Sequence, residues 1–72
     1  MKEGVENLNS KKIGEKLKDL RGDKTLEEVS KALKISKSAL CMYESGQRVP
    51  KDEIKIRIAK YFGLTVESIF YT

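Results

Sequence analysis

Between Thr25 and Gly46 the chain marks its own helix ends so closely that little freedom is left in how the segment folds. Thr25-Leu26-Glu27-Glu28 has capping-box spacing: a hydroxyl at the N-cap and a glutamate three residues on that can bond back to the cap. Val29, Ala32 and Leu33 follow at helical spacing and form an expected inner stripe. Ser36 is a second N-cap. Gly46 is a stop, because glycine tolerates the left-handed conformation that closes helices. The pattern predicts two helices, ending near Lys34 and beginning at Ser36, with only Lys34 and Ile35 between them. Helices joined by so short a turn must cross at a steep angle.

Three more helices are predicted around this pair. The first runs from about Lys11 to Arg21, with Ile13, Leu17 and Leu20 on one side. Asn9 or Ser10 caps its start, and Gly22 ends it. The fourth follows Val49-Pro50, where proline suits the entry to a helix because its missing N–H costs nothing, and Asp52 and Glu53 sit in the first turn. Its stripe is Ile54, Ile58, Ala59 and Phe62, and Gly63 closes it. Thr65 caps a fifth, with Val66, Ile69 and Phe70 facing inward. The fold class is therefore all-α with five helices. Residues 1–9 lack a period and are expected to be a flexible arm or an expression-derived extension. Residues 10–72 make one domain.

Composition removes several function classes. Histidine is absent and there is one cysteine. General acid–base catalysis loses its commonest residue, and no structural zinc site can be assembled. No glycine-rich phosphate loop or apolar-set carboxylate pair appears, so no enzyme, metal or cofactor is expected, and no small-molecule ligand is evident. A single cysteine fits a reducing compartment. With no apolar run of signal-peptide or membrane length, a cytoplasmic protein with no membrane partner is expected. The formal net charge is +4. Residues 31–51 hold five bases against one acid, while the flanking segments are balanced, so the whole excess lies in that window. A local basic patch suits a polyanion, although a solvated lysine-rich surface has the same count.

The third helix separates into two faces at about 100° per residue. Ala39, Leu40 and Tyr43 share the buried side. Lys37, Ser38, Cys41, Met42 and Ser45 share the other, which is small or flexible and carries no acid at its centre. A face chosen only for solubility would carry more charge of alternating sign. Small side chains allow close approach to a groove floor, and a helix N-terminus favours phosphate. Cys41 reads either as a small residue on a close-packed face or as a redox-sensitive thiol.

The stretch from Thr25 to Pro50 resembles the Cro/C1 (XRE) helix-turn-helix family of phage repressors and bacterial transcriptional regulators. The likeness rests on Ile35-Ser36, Leu40, Tyr43-Glu44-Ser45-Gly46 and Pro50, and on Ile58 to Val66. It extends from about Ile13 to Tyr71. The resemblance implies a five-helix, lambda-repressor-like domain that binds specific double-stranded DNA, represses transcription and acts as a homodimer. It implies base contacts from Lys37, Ser38, Cys41 and Met42, and phosphate contacts from Thr25, Ser36, Ser45, Gln47 and Arg48. Arg21 and Glu44 match a partly buried structural ion pair. Leu64, Val66 and Phe70 match the dimer region. Ile56, off the fourth helix's stripe, is either a surface residue or a further dimer contact.

Three positions depart from the family pattern. Leu26 stands where a phosphate-binding glutamine is usual. Ser30 replaces a small apolar residue, and its hydroxyl needs a partner such as a carbonyl one turn back. Lys34 replaces a glycine. If it takes positive φ, it costs about 1 kcal/mol or somewhat more; otherwise the turn differs. The alternative use of such a fold is a protein-interaction module, for example an antitoxin.

Overall fold

The computed structural model describes residues 9–71. Five helices follow in order: α1 (Ser10–Arg21), α2 (Leu26–Leu33), α3 (Lys37–Ser45), α4 (Asp52–Phe62) and α5 (Val66–Phe70). The arm expected over residues 1–9 lies, apart from Asn9, outside the described residues. Asn9 is the N-cap of α1, its side-chain oxygen accepting from the Lys12 N–H at 3.1 Å. Both halves of the capping box form at α2, with Thr25 N–H to Glu28 Oε1 and Glu28 N–H to Thr25 Oγ1 each at 3.0 Å. Ser36 caps α3 and Thr65 caps α5.

Helix α4 begins just after Val49-Pro50, as expected. Lys51 is its N-cap, makes no side-chain cap, and helix starts at Asp52. Pro50 thus precedes the first turn by two residues and is buried. Asp52 and Glu53 lie in the first turn, as expected, and complement the helix's positive end.

The core joins Ile13 and Leu17 of α1, Val29 and Leu33 of α2, and Leu40 and Tyr43 of α3. Ile58 and Ala59 of α4 and Ile69 and Phe70 of α5 complete it. α1 packs on α3 and α5, α2 on α3 and α4, and α4 on α5. Two expectations need correction. Ala32 is exposed, and the inner face of α2 uses Ser30 instead. Burying Ser30 is cheap because its hydroxyl donates to the Glu27 carbonyl at 3.2 Å. Phe70 is only 2% exposed, so it belongs to the core and has no surface to offer a second subunit. Helix α5 has five residues, and its last two both turn inward.

Helices α1 and α3 meet almost backbone to backbone at Gly14. A Cβ there would fall 2.7 Å from the Tyr43 carbonyl oxygen and closer still to that of Glu44. The α2–α3 turn is closed by Lys34 at φ 60°, ψ 43°. Lys34 N–H donates to Lys31 O, and Ile35 N–H to Ser30 O at 3.0 Å, so the chain reverses as glycine usually makes it do. Arg57 of α4 covers the same end, its Nη1 donating to Leu33 O at 3.1 Å and to Lys34 O at 3.4 Å.

Lys55 is a charged residue on α4's inner stripe, only 5% exposed. Its ammonium donates to the Tyr71 hydroxyl at 2.9 Å and to Asp52 Oδ1 at 3.5 Å, with the Tyr71 ring centroid 5.0 Å away. Burial pushes its pKa down, but the bonds to Tyr71 and Asp52 outweigh burial and leave it raised above 10.5. A raised pKa means that the stabilisation is complete below the unfolded value and fades as pH rises through the folded one. Thermal midpoints measured from pH 8 to 11.5 should therefore fall more steeply above pH 10.5 for the native chain than for Lys55→Met. Parallel curves would deny Lys55 this role. Among the described residues, no helix is long and apolar enough to cross a membrane.

Candidate nucleic-acid interface

The exposed strip of α3 is set by the way the helix packs. Leu40 and Tyr43 enter the core, which turns Lys37, Ser38, Cys41 and Ser45 outward. Met42 lies half-buried at the strip's edge. Cys41 is a free thiol on this face. Ser45 Oγ donates to the Met42 carbonyl at 3.2 Å and so lies close along the helix. The strip is shallow, with one lysine at its N-terminal end and no acid along it.

Beyond α3 the chain folds back on itself. Gly46 adopts φ 83°, and Gln47 N–H donates to the Met42 carbonyl at 2.9 Å. Gln47 and Arg48 stay exposed beside the end of the strip. Gly46 also lies against α1, where a Cβ would come 3.0 Å from Lys11 Cα. Thr25 and Ser36 stand exposed at the beginnings of α2 and α3, each hydroxyl oxygen engaged as an N-cap acceptor. Each hydroxyl still carries a proton that it can donate outward.

Arg21 and Glu44 fix α3 to α1. Nε and Nη2 of Arg21 donate to the two carboxylate oxygens at 2.8 and 3.1 Å, a bidentate pair. Nη1 donates to the Lys24 carbonyl at 2.8 Å, which ties in the α1–α2 loop. The bond to Glu44 holds the guanidinium's pKa above its ordinary value. Lys18, Arg21, Leu26, Cys41, Glu44 and Ser45 line a crevice of about 220 Å³ along the α1 side of the strip. Leu26 is half-buried against the core and forms the crevice's apolar wall.

The helix-turn-helix family profile matches residues 15–69, which takes in α2, the three-residue turn and α3 as well as most of the flanking helices. The chain belongs to the Cro/C1-type helix-turn-helix family. An uncharacterized HTH-type transcriptional regulator of Methanocaldococcus jannaschii is 35% identical to it over 46 residues, 64% of this chain and 70% of that protein. The crystal structure of the clp gene regulator ClgR from C. glutamicum superposes with a TM-score of 0.73 at 26% identity. That match covers 86% of this chain and 83% of the other.

In this helix-turn-helix protein the strip residues Lys37, Ser38, Cys41, Met42 and Ser45 lie together on one helix, with Gln47 and Arg48 next to them. The residues considered for dimer contact are scattered in burial. Ile56 on α4 and Leu64 after it are 51% and 43% exposed, Val66 is half-buried, and Phe70 is in the core. Sequence reasoning passed over Lys18, which its balanced surroundings hid, and Arg57, whose partners lie 23 and 24 residues away.

Proposed function

We propose that this helix-turn-helix regulator binds specific duplex DNA as a homodimer, with α3 in the major groove, and represses transcription by occupying the promoter. The observation that carries the reading is the outward strip of α3: a lysine and small side chains turned away from the core, with a thioether half-buried at the edge. A helix with side chains is about 10–12 Å across and the major groove about 12 Å wide, so an uncluttered face can approach base edges.

Lys37 donates to guanine O6 or N7, Ser38 bonds to a neighbouring base, and Cys41 and Met42 touch thymine methyl groups. Thr25, Ser36, Gln47 and Arg48 hold phosphates and set the register, joined by Ser45 once its hydroxyl turns from the Met42 carbonyl to the backbone. Ile56, Leu64 and the exposed part of Val66 meet a second copy. Two recognition helices then stand roughly 34 Å apart on a near-palindromic site.

Selection from a random duplex pool tests the whole reading, since it returns specificity, half-site spacing and symmetry together. Enrichment of a two-fold site supports it. A pool with no enriched sequence, together with a protein that co-purifies with this one, returns the chain to the protein-interaction class. Lys37→Ala is expected to reduce discrimination at one position by about 1 kcal/mol or more. Arg48→Ala should weaken all duplexes alike. Uniform loss in both variants would show that Lys37 is not a base reader.

A further inference from the structure

A helix lying in a groove places both of its flanks beside a sugar-phosphate backbone. On the α1 flank of α3, the groups that border the strip are those of the crevice described above. Leu26 brings no polar atom. The Arg21 guanidinium is spent on Glu44 and on the Lys24 carbonyl, and its charge is balanced by that carboxylate. Lys18 remains. It lines the same crevice as Cys41 and Ser45, its side chain is exposed, and its ammonium makes no hydrogen bond or ion pair among the described residues. It is the crevice's one unengaged cation.

We propose that Lys18 is a DNA backbone-contact residue, its ammonium taking a phosphate on the α1 side of the recognition helix. This rests on the duplex-binding reading above and adds a contact to it. The geometry explains how the protein manages with leucine at position 26. The phosphate contact for that side of the groove comes from a cation in the last turn of α1 instead of from a side chain at the start of α2. A lysine serves because phosphate contact needs a point charge on a flexible stem more than a fixed fork. The residue carries no sequence information, so its effect must appear in salt dependence and not in base preference.

The test measures duplex affinity from 0.05 to 0.4 M salt for the native chain, Lys18→Gln, Lys18→Arg and Lys60→Gln, the last an exposed lysine on α4 that makes the same charge change elsewhere. Each is assayed on the selected site and on one base-substituted site. Lys18→Gln is expected to reduce the slope of log K against log salt by about 0.9, and to bind roughly five- to tenfold more weakly near 0.1 M salt. The preference for the selected site should be unchanged, Lys18→Arg should keep the native slope, and Lys60→Gln should match the native chain. An unchanged slope in Lys18→Gln overturns the inference while leaving duplex binding intact. So does a loss confined to the selected site, which would make Lys18 a base reader, or an equal loss in Lys60→Gln, which would make the effect one of net charge. A native chain that binds no duplex, or binds with no salt dependence, overturns the duplex-binding reading itself.

Discussion

Gly14→Ala is expected to lower the thermal unfolding midpoint by roughly 10–20 °C. The added methyl group meets two carbonyl oxygens of α3, those of Tyr43 and Glu44, and both belong to backbone that cannot swing aside. Overpacking of this kind costs about 1–3 kcal/mol, sometimes more, and alanine's better helix propensity returns only about 0.5–1 kcal/mol. With two backbone oxygens well inside contact distance, the cost here falls at or above the top of that range, about 3–4 kcal/mol, so the net loss is about 2–3 kcal/mol, and for a domain of this size each kcal/mol moves the midpoint by about 4–8 °C. Gly63→Ala is the natural comparison. Gly63 sits at φ 69° with open space around it, so alanine there meets only backbone strain, about 1–2 kcal/mol. Circular dichroism melts of the two variants separate the mechanisms. If Gly14→Ala melts no lower than Gly63→Ala, α1 and α3 do not meet as closely as described.

Glu44→Ala is expected to cost about 2–3 kcal/mol in urea unfolding, a little under the loss typical of fully buried pairs because water still reaches Arg21. The Glu44 side chain is 8% exposed and the Arg21 side chain 18%. Removing the acid leaves Arg21 with only the Lys24 carbonyl and a partly desolvated charge. The double variant Arg21→Met/Glu44→Leu should recover most of the loss, since well-packed apolar residues commonly replace such pairs at little net cost. A double variant as unstable as Glu44→Ala would mean that the guanidinium's bond to the α1–α2 loop, and not the charge pairing, carries the stability.

The local marks in the sequence were the most legible. Thr25 with Glu28, Ser36, Asn9 and Thr65 all cap where their side chains and spacing predict, because a cap is decided within four residues. Gly46 and Gly63 end their helices for the same reason. The strip on α3 was legible because one apolar stripe fixes the opposite face. What escaped is decided at long range. Gly14 looks like a weak point in a helix until α3 is laid against it. Lys55 looks like a surface charge until Tyr71, sixteen residues on, receives its proton bond. The choice between Ala32 and Ser30 for the inside of α2 depends on where α3 and α4 lie, and a helix wheel carries no such information. Phe70 was doubly assigned, and the core had the stronger claim.

The hold of Arg57 on the carbonyls of Leu33 and Lys34 has a practical consequence for anyone who would re-engineer this protein. The corner between the two central helices is latched from outside, by a residue that a two-helix fragment would leave behind. Such a fragment, grafted onto another scaffold, would carry the side chains but lose the clasp that sets their angle. New target preferences are better sought by exchanging outward residues of α3 in the intact chain than by transplanting the helix pair.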